Sequence, residues 1–91
     1  MSEIILTKEN IRFTEKFFKN LKKLPPYTRG RIEKKLKDIL LQKRPANIKK
    51  LSNYPLADYR LKIDDFRLFF SASENTKIYL FVACISRKNL Y

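Results

Sequence analysis

The chain contains no histidine, no tryptophan and a single cysteine, and its nine acidic residues face 21 lysines and arginines. Cys84 alone excludes a disulfide within the chain, and without histidine there is no ordinary His/Cys ligand set for a metal. Such cysteine usage fits a reducing compartment. Histidine is also the side chain that most often moves protons near neutral pH, so any acid–base chemistry has to use another group. Long apolar runs are missing as well. Glu3, Lys8, Glu9 and Arg12 interrupt the N-terminal stretch where a signal peptide carries about 7–15 apolar residues, and no segment is apolar enough to cross a bilayer. The expected location is the cytoplasm, with no membrane, metal or small-molecule cofactor.

What is present is a length of 91 residues, enough for one small domain spanning 1–91 with a single modest core. A hydrophobic content of 44%, with 13% aromatics, suits a packed chain rather than a disordered one. The formal charge of +12 predicts attraction to a polyanion, nucleic acid first among them. Thirteen of the 21 basic residues fall between Lys16 and Lys50, where Glu33 and Asp38 are the only acids. That half is expected to steer and dock the partner.

Alternating Ile and Phe over Asn10 to Phe13 predict a strand, reaching back toward Ile4, and Thr14 is placed to cap a helix with Glu15 in its first turn. From Glu15 to Leu24 the apolar residues Phe17, Phe18, Leu21 and Leu24 recur at helical spacing, with lysines on the other side. Pro25-Pro26 stops this helix, and the second proline can open another because it needs no amide donor there. The second helix is predicted from Pro26 to about Gln42, with Ile32, Leu36, Ile39 and Leu40 inward. Residues 43–55 read as a connector in which Ile48 and Leu51 pack. Three strands are predicted after it, over about 58–63, 66–72 and 77–86, with turns at Asp64-Asp65 and Ser73-Glu74-Asn75-Thr76. The implied fold class is α+β: a two-layer β-α-α-β-β-β domain, its N-terminal strand and helical hairpin packed on a largely antiparallel sheet whose other face is open to a ligand.

The first hairpin is the most informative segment. A two-residue turn at Asp64-Asp65 pairs Ile63 with Phe66, Lys62 with Arg67, Leu61 with Leu68 and Arg60 with Phe69. Like charges directly opposite each other destabilise a sheet, so Lys62 facing Arg67 points to an anionic ligand between them. Attack of a ribose 2′-OH on the adjacent phosphate needs a proton acceptor and stabilisation of the charge that builds on phosphorus. Lys62, set between Arg60 and Arg67, is the candidate base. Arg67 and Arg87 offer planar, always-charged forks to phosphate oxygens.

The element order, together with Phe17-Phe18 to Leu24-Pro25, Tyr59-Arg60-Leu61-Lys62-Ile63, Phe66-Arg67-Leu68 and the ending Ser86-Arg87-Lys88-Asn89-Leu90-Tyr91, resembles the RelE/ParE superfamily of toxin–antitoxin toxins. The resemblance covers nearly the whole chain. It implies a small toxin neutralised by a cognate antitoxin. RelE-like members cleave mRNA in the ribosomal A site, whereas ParE-like members poison DNA gyrase without catalysis. In RelE-like relatives, basic residues matching Arg60, Lys62, Arg67 and Arg87 form the catalytic set, and the aromatic matching Tyr91 stacks on a base. A ribosome-dependent mRNA endoribonuclease is therefore the expected function, with a gyrase poison or a plain nucleic-acid-binding module as the alternative. Lys34, Lys35, Lys37 and Lys88 are the candidate RNA and ribosome contacts.

The chain departs from that pattern in three places. Ser86 stands where many relatives carry His or Lys, Asp64 replaces the usual turn glycine and is expected at positive φ, and the chain stops at Tyr91. Two further expectations are a buried Cys84 thiol, and a set of Phe69, Tyr79 and Phe81 that is either a stacking platform or a surface covered by a partner.

Overall fold

The structure, a computed structural model, describes residues 4–73 and 75–89. In chain order the elements are β1 (Ile11–Phe13), α1 (Glu15–Lys22), α2 (Pro26–Leu40), β2 (Asn47–Lys50), β3 (Tyr59–Ile63), β4 (Phe66–Ala72) and β5 (Tyr79–Ser86), closed by a 3₁₀ turn at Arg87–Asn89. The Thr14 hydroxyl accepts the Phe17 N–H at 3.2 Å, so α1 starts on the cap that the sequence marks. It buries Phe17 and Leu21, while Phe18, one position off that stripe, stays 48% exposed. The helix stops at Lys22, short of Leu24, because a residue that precedes proline is pushed out of the helical region.

Helix α2 opens on Pro26 and ends at Leu40, two residues before the predicted Gln42. Gln42 adopts φ 62°, and the bonds from Gln42 N–H to Ile39 O (3.0 Å) and Lys43 N–H to Asp38 O (2.8 Å) close a Schellman motif. The left-handed residue turns the chain away from the helix axis and delivers Lys43 and Arg44 beside it.

The sheet has five strands in the order β1-β5-β4-β3-β2, with β1 parallel to β5 and every other pair antiparallel. The architecture is the expected two-layer α+β arrangement with one strand more than the sequence predicts. Residues 47–50, assigned above to the connector, pair with β3 as an edge strand. Both helices cover one face, where Phe17, Ile32, Leu61, Leu68, Phe70 and Phe81 are among the buried residues of the main core. β5 begins at Tyr79 rather than 77, since Lys77 has φ 57° and cannot extend a strand.

A register shift falls where Phe69 pairs Ala83 but Phe70 pairs Phe81, leaving Val82 as the extra residue of a bulge. Beyond Phe81 the outer edge of β5 has lost β1. There the Thr14 hydroxyl donates to Val82 O at 3.3 Å and Asn20 Oδ1 accepts the Cys84 N–H at 3.0 Å, so side chains on and before α1 satisfy the strand edge.

Candidate functional site

The β3–β4 pairing is the predicted one at every position: Ile63 with Phe66, Lys62 with Arg67, Leu61 with Leu68 and Arg60 with Phe69. Alternation along these strands sends Leu61, Ile63 and Leu68 into the core and leaves Arg60, Lys62 and Arg67 on the face away from the helices. β2 adds a cation that the sequence reading missed. Lys49 lies opposite Arg60, and Asn47 opposite Lys62, so Lys49, Arg60, Lys62 and Arg67 share one patch. The signal in the sequence was the inward Ile48 flanked by polar residues, too short a run to mark a strand.

This face is not open throughout. Ala57, Phe69 and Ala83 form a second small core there with Leu51, Val82 and Ile85, and the Tyr54 ring stacks on Phe69 at 5.1 Å. The segment between β2 and β3 thus covers part of the sheet. Phe69 (4% exposed) and Phe81 (0%) are buried, and Tyr79 packs against the main core, so these three rings form no stacking platform.

Arg60 sits at the border between the covered and the open halves. Its Nη1 is buried with no hydrogen-bond partner among the described residues. Burial first, and the charge of Arg67 second, make the Arg60 guanidinium hold its proton less tightly than an ordinary arginine. It remains a cation near neutrality. A buried, unpaired cationic donor is costly, on the order of 1–3 kcal/mol, and a phosphate oxygen placed there would remove the cost. Arg67 is half-buried, and among the described residues its side chain makes one hydrogen bond, from Nη1 to Phe66 O at 3.4 Å. Lys62 is exposed.

The turn that holds this pair is anchored. Asp64 adopts the expected positive φ, 53°, and its carboxylate takes an ion pair from Lys35 and another from Arg31 at 3.3 Å. The Lys35 hydrogen bond is the main reason that the Asp64 carboxyl sits below the usual carboxylate range. Lys35, a candidate RNA contact by sequence, is therefore half-buried and occupied by the hairpin turn, while Lys34 and Lys37 point to solvent without an ion pair among the described residues.

Arg87 reaches the same turn through its backbone, whose N–H donates to Asp65 O at 2.7 Å, and Lys88 follows in the 3₁₀ turn with its N–H on Ser86 Oγ. Tyr91 lies outside the described residues. Cys84 is buried, and desolvation pushes its thiol up to about 12, as a packed structural cysteine requires. Among the described residues no three His, Cys, Asp or Glu side chains gather into a metal site, and no helix is long and apolar enough to cross a membrane.

Residues 11–91 match the model of a protein family described as ParE toxin of type II toxin–antitoxin system, parDE. The chain belongs to the RelE/ParE toxin superfamily. Solved structures of similar fold include the RelB–RelE antitoxin–toxin complex from Methanococcus jannaschii, with 24% identity, a TM-score of 0.63, and coverage of 87% of this chain and 93% of that one. The archaeal RelE–RelB complex from Pyrococcus horikoshii aligns at 20% identity and TM-score 0.62 over 93% of this chain and 98% of that one. A toxin–antitoxin complex from Mycobacterium tuberculosis aligns at 18% identity and TM-score 0.64, covering 86% and 96%. No curated protein matches the chain. At these identities the likeness of the structures is one of fold, and the toxin assignment rests on the family match.

Proposed function

We propose that this RelE/ParE-family toxin is a ribosome-dependent mRNA endoribonuclease. The observation that carries the reading is the direct opposition of Lys62 and Arg67 beside Arg60, whose buried Nη1 has no partner among the described residues. Three cations held together on a small sheet without an acid among them cost stability, and a scissile phosphate returns it. In this reading Lys62 takes the proton of the ribose 2′-OH as it attacks the adjacent phosphorus. Arg60 and Arg67 hold the phosphate oxygens as their charge grows, an interaction worth about 2.7–4 kcal/mol per donor in the transition state. The P–O5′ bond breaks to leave a 2′,3′-cyclic phosphate. Arg87, tied to the hairpin turn, stabilises the charge on the departing 5′-oxygen as it takes a proton from water, and Tyr91 stacks on a neighbouring base. Primer extension on an mRNA in a translation extract tests the proposal: codon-phased cuts are expected with the protein and not without it.

One observation favours a second reading, a noncatalytic toxin of the gyrase-poisoning kind: the family model that matches the chain is the ParE one. Inhibition of DNA supercoiling in a gyrase assay, with mRNA left intact, would select it.

In either case the partner is a cognate antitoxin. The structural relatives were solved in complex with their antitoxins, and a chain of charge +12 calls for an acidic segment laid over its basic surface. Co-expression with such a partner is expected to raise soluble yield and to abolish toxicity.

A further inference from the structure

Along the side of α2 that faces the β3–β4 turn runs an open groove of about 1110 Å³, walled by the helix, the segment after it, the turn and the end of β5. Six cations line it against two carboxylates, Asp64 and Asp65. Asp64 already engages Arg31 and Lys35, so Lys43, Arg44, Lys62 and Lys88 are the lining cations without an ion pair among the described residues. At the head of the groove stands Tyr27, 74% exposed, with the Arg31 guanidinium 5.9 Å from its ring centroid. The first turn of α2 carries no acid, and no side chain caps its N-terminus, so the helix dipole presents positive potential beside that ring.

We propose that this groove seats single-stranded RNA, with a base stacked on Tyr27 and the backbone led past Lys43 and Arg44 to Lys62. An exposed aromatic at one end of a groove that unpaired cations line farther along suits unpaired nucleotides: the ring takes a base face and the cations take phosphates. Arg31 on the ring strengthens the platform as a cation–π partner. An acidic peptide would use the cations but gains nothing from the ring. Lys62 belongs both to the groove and to the Arg67 patch, so the groove is an approach path to the proposed catalytic pair. The α2 residues that line it run from Tyr27 to Ile39, about 18 Å along the helix. The inference rests on the RNA reading above but assigns residues that reading does not use.

The test is fluorescence anisotropy with a labelled, fully 2′-O-methylated RNA oligomer, which cannot be cut, on the full chain. Tyr27→Ala is expected to weaken binding by on the order of tenfold, Tyr27→Phe to retain it, and the double change Lys43→Ala/Arg44→Ala to weaken it and flatten its salt dependence. Lys16→Ala, on the exposed side of α1, serves as the control and leaves binding unchanged. Equal affinity of wild type and Tyr27→Ala overturns the proposal, as does a loss with Tyr27→Phe equal to that with Tyr27→Ala. A poly-glutamate peptide that binds more tightly than the RNA and ignores Tyr27→Ala overturns it in favour of an acidic protein segment. The two readings fail separately. Tyr27-dependent RNA binding without any mRNA cleavage keeps the groove and removes the nuclease, whereas cleavage unaffected by Tyr27→Ala, with binding also unaffected, removes the groove alone.

Discussion

Arg60 carries the clearest conflict between stability and use in this molecule. Its Nη1 is buried without a partner among the described residues, a cost that the proposed phosphate contact accounts for. Arg60→Met keeps the stem and removes the unpaired charge. The variant is expected to gain about 1 kcal/mol in urea unfolding while losing mRNA cleavage; a drop in stability would show that the guanidinium is structural. For the facing pair, Lys62→Ala and Arg67→Ala are each expected to lower cleavage by on the order of a hundredfold with an equal or slightly higher Tm, because each change relieves a cross-strand repulsion. Activity lost only in proportion to Tm would contradict the catalytic roles. A full-rate double variant would remove them.

At the scale of elements, the β3–β4 hairpin is tied to α2, since Asp64 at the turn is held by Arg31 and Lys35, 33 and 29 residues away in sequence. The Asp64 carboxyl is depressed in the folded chain, so its contribution is complete above the unfolded value of about 3.9 and is lost as the pH falls through the lower folded value. Asp64→Asn is accordingly expected to melt below wild type at neutral pH, by less than about 1 kcal/mol for a pair this exposed, and to converge with it in acid. Melting curves from pH 7 to pH 2 check this, and a gap that widens on acidification would refute it. The same clamp narrows the set of helical lysines proposed to meet RNA. Lys35 is engaged by the turn, which leaves Lys34 and Lys37.

For the whole molecule, the excess charge is a long-range device: +12 on 91 residues attracts a polyanion from any direction, and salt weakens it. Reversal of Lys34 and Lys37 to Glu, with Lys35 kept so that the hairpin stays clamped, is expected to weaken co-sedimentation with ribosomes and make it less salt-dependent. Unchanged sedimentation would place the docking surface elsewhere.

The features legible from sequence are those set by neighbours along the chain. The Thr14 cap, the Pro26 start of α2 and the β3–β4 register follow from local spacing, because side chains alternate every residue in a strand and a two-residue turn fixes which positions face each other. The opposition of Lys62 and Arg67 is therefore legible in the sequence itself. Only the tertiary structure decided what depends on distant partners. The four residues of β2 become a strand because β3 offers them an edge, which is how Lys49 joins the patch. The Val82 bulge follows from pairing with β4 and from the loss of β1 beyond Phe81. Arg60, paired with Phe69 of the second small core, has its Nη1 buried without a partner among the described residues, and Lys35 is drawn away from solvent by an aspartate on another element. Burial and ion pairing are properties of what surrounds a residue, and for these residues the surroundings are assembled from remote parts of the chain.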